Sequence, residues 1–217
     1  RIGERECLSI RSAIQQGIFL RILGLDNKSK YSKMANPKFR KVLAVHDFLQ
    51  NFSRSNRSVL LFADASDVIY LGGNQEIFKS YVRYLNNTIT QSVIFGAEKN
   101  FWPYFSLGRG ALLPDAYRRL EQYPKFGNDP YPFANAGLWI GDVSSAANLV
   151  RNWLTFNDND PNKDDQGALH KLILQQKFRE TFSISIDTRS RLFLCCVKTN
   201  LNNIRLWKVP TKVGPYL

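Results

Sequence analysis

A chain of 217 residues with 44% hydrophobic content can bury one sizeable core, and it is expected to form one domain rather than two. The 30 Lys and Arg against 18 Asp and Glu leave a formal net charge of +12, which favours anionic ligands and equally describes a solvated basic surface. No run approaches the roughly 18 apolar residues needed to span a bilayer, residues 1–6 are too charged for the apolar part of a signal peptide, and Cys7, Cys195 and Cys196 fit neither a zinc pattern nor a disulfide framework.

Along the chain, apolar residues switch between short continuous runs and helical spacing, the pattern of alternating strands and helices. Residues 4–16 read as a helix, and Ile18 to Leu25 as an apolar strand. Pro37 suits a first helical position, and Phe39, Val42, Leu43, Leu49 and Phe52 then recur at helical intervals on one face. Ser58 to Ala63 is a continuous apolar run, as expected of a central strand covered on both faces, and it stops at Asp64. After the Gly72-Gly73 break, Asn74 is placed to cap a helix running to about Leu85, and Ser92 to Ala97 reads as the next strand. Residues 102–133, rich in proline, glycine and aromatics, read as a long functional loop. The expected sequel is a strand at Gly137 to Ile140, a helix capped by Asp142, a polar loop at 157–164, a helix to about Gln176, and short strands at Ser183 to Ile186 and Arg191 to Cys196. His46 and His170 fall inside helices and read as structural.

The chemistry concentrates where the Ser58 to Ala63 run ends. Asp64 and Asp67 lie at the carboxyl end of a buried strand, the edge at which open α/β sheets bind ligands. A turn there can aim both carboxylates at one hard cation, Mg²⁺ or Mn²⁺. Ordinary turn and cap aspartates have the same local pattern. Asp164 and Asp165 open a helix, where aspartate favours the positive end.

In order and spacing, Asp64-Ala65-Ser66-Asp67-Val68-Ile69, Ala97-Glu98 before Trp102-Pro103, Gln122-Tyr123-Pro124, Asn135-Ala136-Gly137 with Ile140-Gly141, Asp164-Asp165-Gln166, and Ile186-Asp187 with Ser190-Arg191-Leu192-Phe193 form a recognisable series. The series resembles the glycosyltransferase domain of procollagen lysyl hydroxylases and, more loosely, the collagen glycosyltransferases. By that resemblance the fold would be GT-A-like: a single α/β domain with a mixed, mostly parallel sheet flanked by helices. The donor would be UDP-glucose or UDP-galactose, with Mn²⁺, or Mg²⁺ in its place, joining its phosphates to Asp64 and Asp67.

The same resemblance assigns Asp164, Asp165 and Trp102 to the sugar and acceptor side, with the indole stacking on a sugar. It puts Lys41 near a phosphate, Asn135 and Gly137 where backbone approaches the substrate, and Gln166 beside the acidic pair. The acceptor would be a glycan or collagen-like protein, in the latter case hydroxylysine-linked galactose, and the compartment the endoplasmic reticulum or Golgi lumen. The N-x-Ser/Thr sequons at Asn27, Asn51, Asn56 and Asn86 are compatible with that compartment. Two features of the family's pattern, a first strand that contacts uracil and a third metal ligand in a late His-Gly motif, are not matched here. The expectation is that this chain lacks those end segments. The rivals are a transferase of the same fold with an unrelated acceptor, and a noncatalytic basic domain that binds glycan or nucleic acid. No nucleic-acid-binding motif favours the latter, and no nucleic acid partner is expected.

Overall fold

Val59–Ala63 (β1) is half-buried along its whole length and pairs antiparallel with Phe133–Asp142 (β3), from Val59 opposite Asp142 to Ala63 opposite Leu138. In the computed structural model, residues 4–24, 38–52, 58–65, 67–86, 92–102, 131–157 and 164–194 are described. β3 also pairs antiparallel with Ser92–Glu98 (β2), and β2 pairs parallel with Ser183–Ile186 (β4), which sets the order β1-β3-β2-β4 and, among the described strands, puts β1 at the end of the sheet and not at the centre expected for it. Three strands therefore run one way and β3 alone runs the other. The sheet is mixed, as expected, while two of its three described pairings are antiparallel and that of β2 with β4 is parallel.

Helices Glu4–Gln15 (α1), Arg40–Asn51 (α2), Asn74–Tyr84 (α3), Val143–Asn157 (α4), Asp165–Leu174 (α5) and Gln176–Thr181 (α6) complete the described elements. One sheet face packs Phe95, Trp139 and Ile186 against Val42, Val45 and Leu49 of α2, Leu149, Val150 and Trp153 of α4, and Leu169 and Ile173 of α5. The other face packs Ile94 and Ile140 against Tyr81 of α3, with Phe193 completing the cluster. This layering of helices on both faces is the α/β, GT-A-like class anticipated above. Among the described residues, no helix is long and apolar enough to cross a membrane.

Several boundaries differ from the sequence expectation for physical reasons. Residues 18–24 form no strand: Gly17 and Gly24 adopt left-handed backbone with φ of +66° and +79°, and no described strand pairs with the segment between them. The first turn of α2 begins at Arg40, and Pro37 lies outside the described residues. Its buried face is Val42, Val45 and Leu49, while Phe52 is exposed. Gly73 takes the cap position of α3, its N–H donating to Glu76 at 3.1 Å, so Asn74 is the first helical residue. Asp142 does cap α4, accepting from Ser145 N at 2.9 Å. The helix expected to reach Gln176 breaks at Gln175, whose extended backbone separates α5 from α6.

Residues 191–194 are not a strand, because the fully buried Asp187 carboxylate draws their backbone away from a ladder. It accepts from Arg191 N at 2.8 Å, Leu192 N at 2.7 Å and Phe193 N at 2.8 Å. The expected loop core at 103–130, the loop at 158–163 and Cys195-Cys196 lie outside the described residues.

Candidate active site

β3 is longer than the Gly137 to Ile140 strand anticipated, and the extra length makes the site. Its pairing with β2 jumps from Phe95 opposite Trp139 to Gly96 opposite Asn135, so Ala136, Gly137 and Leu138 bulge out of that ladder. The bulge lets Gly137 O accept from Asp64 N at 2.7 Å and carries Asn135 to the carboxyl ends of β1 and β2. Glycine is required by close approach: a Cβ at Gly137 would lie 2.5 Å from Asp64 Oδ2 and 3.1 Å from Asn135 Oδ1. Asn135 Oδ1 in turn accepts from Gly137 N at 2.7 Å.

Lys41, one residue into α2, reaches across this edge. Its Nζ donates to Asp64 Oδ1 at 3.0 Å and Oδ2 at 2.7 Å, and lies 2.5 Å from Asp165 Oδ2 at the start of α5. One ammonium thus links two carboxylates brought together from β1 and α5. Burial opposes the Lys41 charge, but Asp165 and Asp64 outweigh it and hold its pKa above the ordinary lysine value. Burial likewise pushes the Asp64 carboxyl up; Lys41 pulls it back, and the negative charges of Asp165 and Asp67 add to the rise. Asp67 is exposed and close enough to act on Asp64 electrostatically.

Asp164 divides its carboxylate between two tasks. Oδ1 accepts from Gly167 N at 2.6 Å, capping α5, and Oδ2 accepts from Trp102 Nε1 at 3.0 Å. The cap alternative left open by the sequence is therefore real, and the same side chain also anchors the indole. Lys38 Nζ stands 4.8 Å from the centre of that ring. Asp165 is 4% exposed, and its backbone oxygen accepts from Trp153 Nε1 at 3.0 Å, fixing the helix start against α4.

Gln166 ties the floor together: Oε1 accepts from Ala136 N at 3.3 Å and Nε2 donates to Glu98 Oε1. Glu98 ends β2 almost wholly buried, and burial raises its pKa against the opposing hydrogen bonds from Gln166 and Asn135. The sequence reading used Glu98 only as a motif marker and gave it no place in the site. The available signal was an apolar strand ending in a carboxylate, the same pattern that drew attention to Asp64. His170 is fully buried, its ring centre 4.9 Å from Phe101 and 6.4 Å from Phe133, and burial pulls its pKa down to about 3. That is a neutral core side chain. His46 lies on α2, with Nε2 3.0 Å from Gln50 Nε2.

The edge thus gathers Lys41, Asp64, Trp102, Asn135, Gly137, Asp164, Asp165, Gln166 and Glu98, drawn from α2, β3, the end of β2 and the turn after it, the residue following β1, and the cap and first turn of α5. The PLOD GT domain family model matches residues 8–209. The chain belongs to that family. Human "Multifunctional procollagen lysine hydroxylase and glycosyltransferase LH3" is 28% identical over 186 residues, 85% of this chain and 22% of that protein. Rat "Procollagen-lysine,2-oxoglutarate 5-dioxygenase 1" is 30% identical over 155 residues, 71% of this chain and 18% of its own length. Mouse "Procollagen-lysine,2-oxoglutarate 5-dioxygenase 2" is 26% identical over 154 residues, with the same two shares. The chain spans about a fifth of the length of these relatives and is a domain of the glycosyltransferase type related to collagen-modifying enzymes.

A PLOD GT domain with Asp64 and Asp67 has the donor chemistry for a hard divalent cation only in part. Among the described residues, no group of three or more His, Cys, Asp or Glu gathers in a metal-binding arrangement. Two carboxylates suffice where substrate phosphates complete the shell, as Mg²⁺ sites commonly do. The partly buried Asp64 carboxylate already takes a cation, the Lys41 ammonium, as its partner.

Proposed function

We propose that this domain transfers glucose or galactose from UDP to an acceptor hydroxyl, with Mn²⁺ or Mg²⁺ held by Asp64 and Asp67. The acceptor in this reading is hydroxylysine-linked galactose on collagen-like polypeptide, and the compartment is the endoplasmic reticulum or Golgi lumen. The observation that carries it is the Lys41, Asp64 and Asp165 cluster at the carboxyl edge of the sheet, within a chain matched to a glycosyltransferase family.

Breaking the bond between sugar and UDP builds negative charge on the diphosphate, which the divalent ion supplies charge to offset when bound. Lys41 adds a second positive charge at the same edge, preorganised by two carboxylates and therefore needing little reorganisation during reaction. Gly137 leaves backbone at closest approach beside Asp64, and Asn135 holds that backbone by accepting from Gly137 N. Asp165 faces the Lys41 ammonium, where its carboxylate can stabilise positive character on the departing sugar. Trp102, held by Asp164, offers an aromatic surface to the acceptor sugar.

The test is titration of UDP into the parent, Asp64→Asn and Asp67→Asn proteins with and without Mn²⁺. Metal-dependent UDP affinity should fall at least about tenfold in each variant, or roughly 1.4 kcal/mol. Unchanged affinity in both would remove the assignment.

A further inference from the structure

A lysine ammonium has three N–H donors, and three carboxylate oxygens stand around Lys41 Nζ: Asp64 Oδ1 at 3.0 Å, Asp64 Oδ2 at 2.7 Å and Asp165 Oδ2 at 2.5 Å. Both oxygens of Asp64 are thus turned to a cation of the chain's own. A hard divalent ion needs the same oxygens, ionised and open, so the ammonium and the ion compete for one ligand. Lys41, for its part, can donate to a phosphate oxygen only by releasing one of its present acceptors.

Of the three side chains, Lys41 is the one built to move. Asp64 N donates to Gly137 O at 2.7 Å, and the Gly137 backbone crowds the carboxylate so closely that a Cβ there would stand 2.5 Å from Oδ2. Asp165 is held at the start of α5, where its backbone oxygen accepts from Trp153 Nε1 at 3.0 Å. Lys41 carries its charge on a flexible four-carbon stem, and its side chain is 24% exposed against 6% for Asp165. Beside the stem, Val45, Phe62, Trp139 and Trp153 line an apolar void of about 10 Å³, which gives it a little slack.

We infer, resting on the transferase function proposed above, that Lys41 is a displaceable counter-ion: it occupies Asp64 until a nucleotide diphosphate draws the ammonium away, so that a divalent ion gains Asp64 together with the diphosphate and not before it. Asp67 and Asp165 both act on Asp64 electrostatically, and three carboxylates without an ammonium among them would attract a divalent ion with no nucleotide present. Lys41 keeps Asp165 as its pivot. The exchange is a short swing completed on binding, before the bond to the sugar breaks.

Titration of Mn²⁺ alone, followed by electron paramagnetic resonance of the free ion at fixed pH and ionic strength, tests this beside titration of UDP with and without Mn²⁺. Without nucleotide, Lys41→Met should bind Mn²⁺ at least about tenfold more tightly than the parent, and the factor by which Mn²⁺ tightens UDP binding should shrink by a similar amount, as reciprocal coupling requires. Loss of a merely structural ion pair would not raise affinity for the metal. Lys41→Arg, which keeps the charge, should show no such gain. Because Lys41→Met strands the buried Asp165, the comparison is repeated with Asp165→Asn in both proteins, where Lys41→Met should again tighten Mn²⁺ binding. Unchanged or weaker Mn²⁺ binding on removing the ammonium in both backgrounds overturns the displaceable role, and the transferase reading survives if UDP affinity in the parent depends on Mn²⁺. UDP affinity in the parent that is independent of Mn²⁺ overturns both.

Discussion

Lys41→Met keeps the length of the side chain and removes the ammonium between Asp64 and Asp165. Both carboxylates are within 2.7 Å of the same nitrogen, so the contacting oxygens lie at most roughly 5 Å apart, where two unit charges repel by about 3 kcal/mol at an effective dielectric of 20. Asp165 has a side chain only 6% exposed and cannot escape to water, whereas the Asp64 side chain is 32% exposed and recovers part of its hydration. The expected loss is about 2 kcal/mol, or roughly 4–8 °C in melting temperature for a domain of this size. Because the folded pKa of Lys41 is raised, its stabilisation is fully present below the ordinary value of 10.5 and is lost as pH rises through the folded value. The gap between parent and variant should accordingly persist at pH 7 and close in strongly alkaline solution. Adding Asp165→Asn to Lys41→Met should restore most of the stability by removing the stranded buried charge. Thermal melts of the parent, Lys41→Met and the double variant across pH provide the measurement. A Lys41→Met melting temperature within about 1 °C of the parent at pH 7 would refute the argument.

Gly137→Ala places a Cβ 2.5 Å from Asp64 Oδ2, so the carboxylate must move; the expected cost is about 1–3 kcal/mol in thermal melts, together with weaker Mn²⁺-dependent UDP binding by titration. Glu98→Gln tests the buried carboxyl at the end of β2. A raised carboxyl pKa contributes stability below the ordinary 4.5 that disappears as pH rises through the folded value, so the variant should be the more stable at pH 7, by up to about 1 kcal/mol, and equal to the parent in acid. Asp164→Ala should lose about 0.5–2 kcal/mol with its cap and alter Trp102 fluorescence, while Asp164→Asn should retain the cap. In the proposed reaction, Asp164→Ala should also lower turnover at least about tenfold with UDP binding nearly unchanged. Destabilisation with normal turnover would leave Asp164 a cap and an anchor only.

The amino-acid sequence by itself determined the elements whose local signals and tertiary partners agree. The apolar runs at Ser58 to Ala63, half-buried, and Ser92 to Ala97, wholly buried, the Asp142 cap and the α5 start at Asp164-Asp165 were legible because strand burial and helix capping leave short-range marks. The motif series also carried the family, since it depends on residue identity and order. The apolar run expected as a strand from Ile18 shows the limit over its described residues 18–24: such a run is a strand only where another strand supplies its hydrogen bonds, and no local pattern states whether one will. Arg191 to Phe193 failed for the converse reason, because Asp187, four to six residues earlier, captured their N–H groups. Only tertiary structure could decide that Lys41 joins Asp64 to Asp165, partners 23 positions away in one case and on a third element in the other. The same holds for Glu98, which enters the site because the β3 bulge and Gln166 converge on it. Charge pairing and desolvation act across space, so they become readable once the sheet has brought the strand ends together.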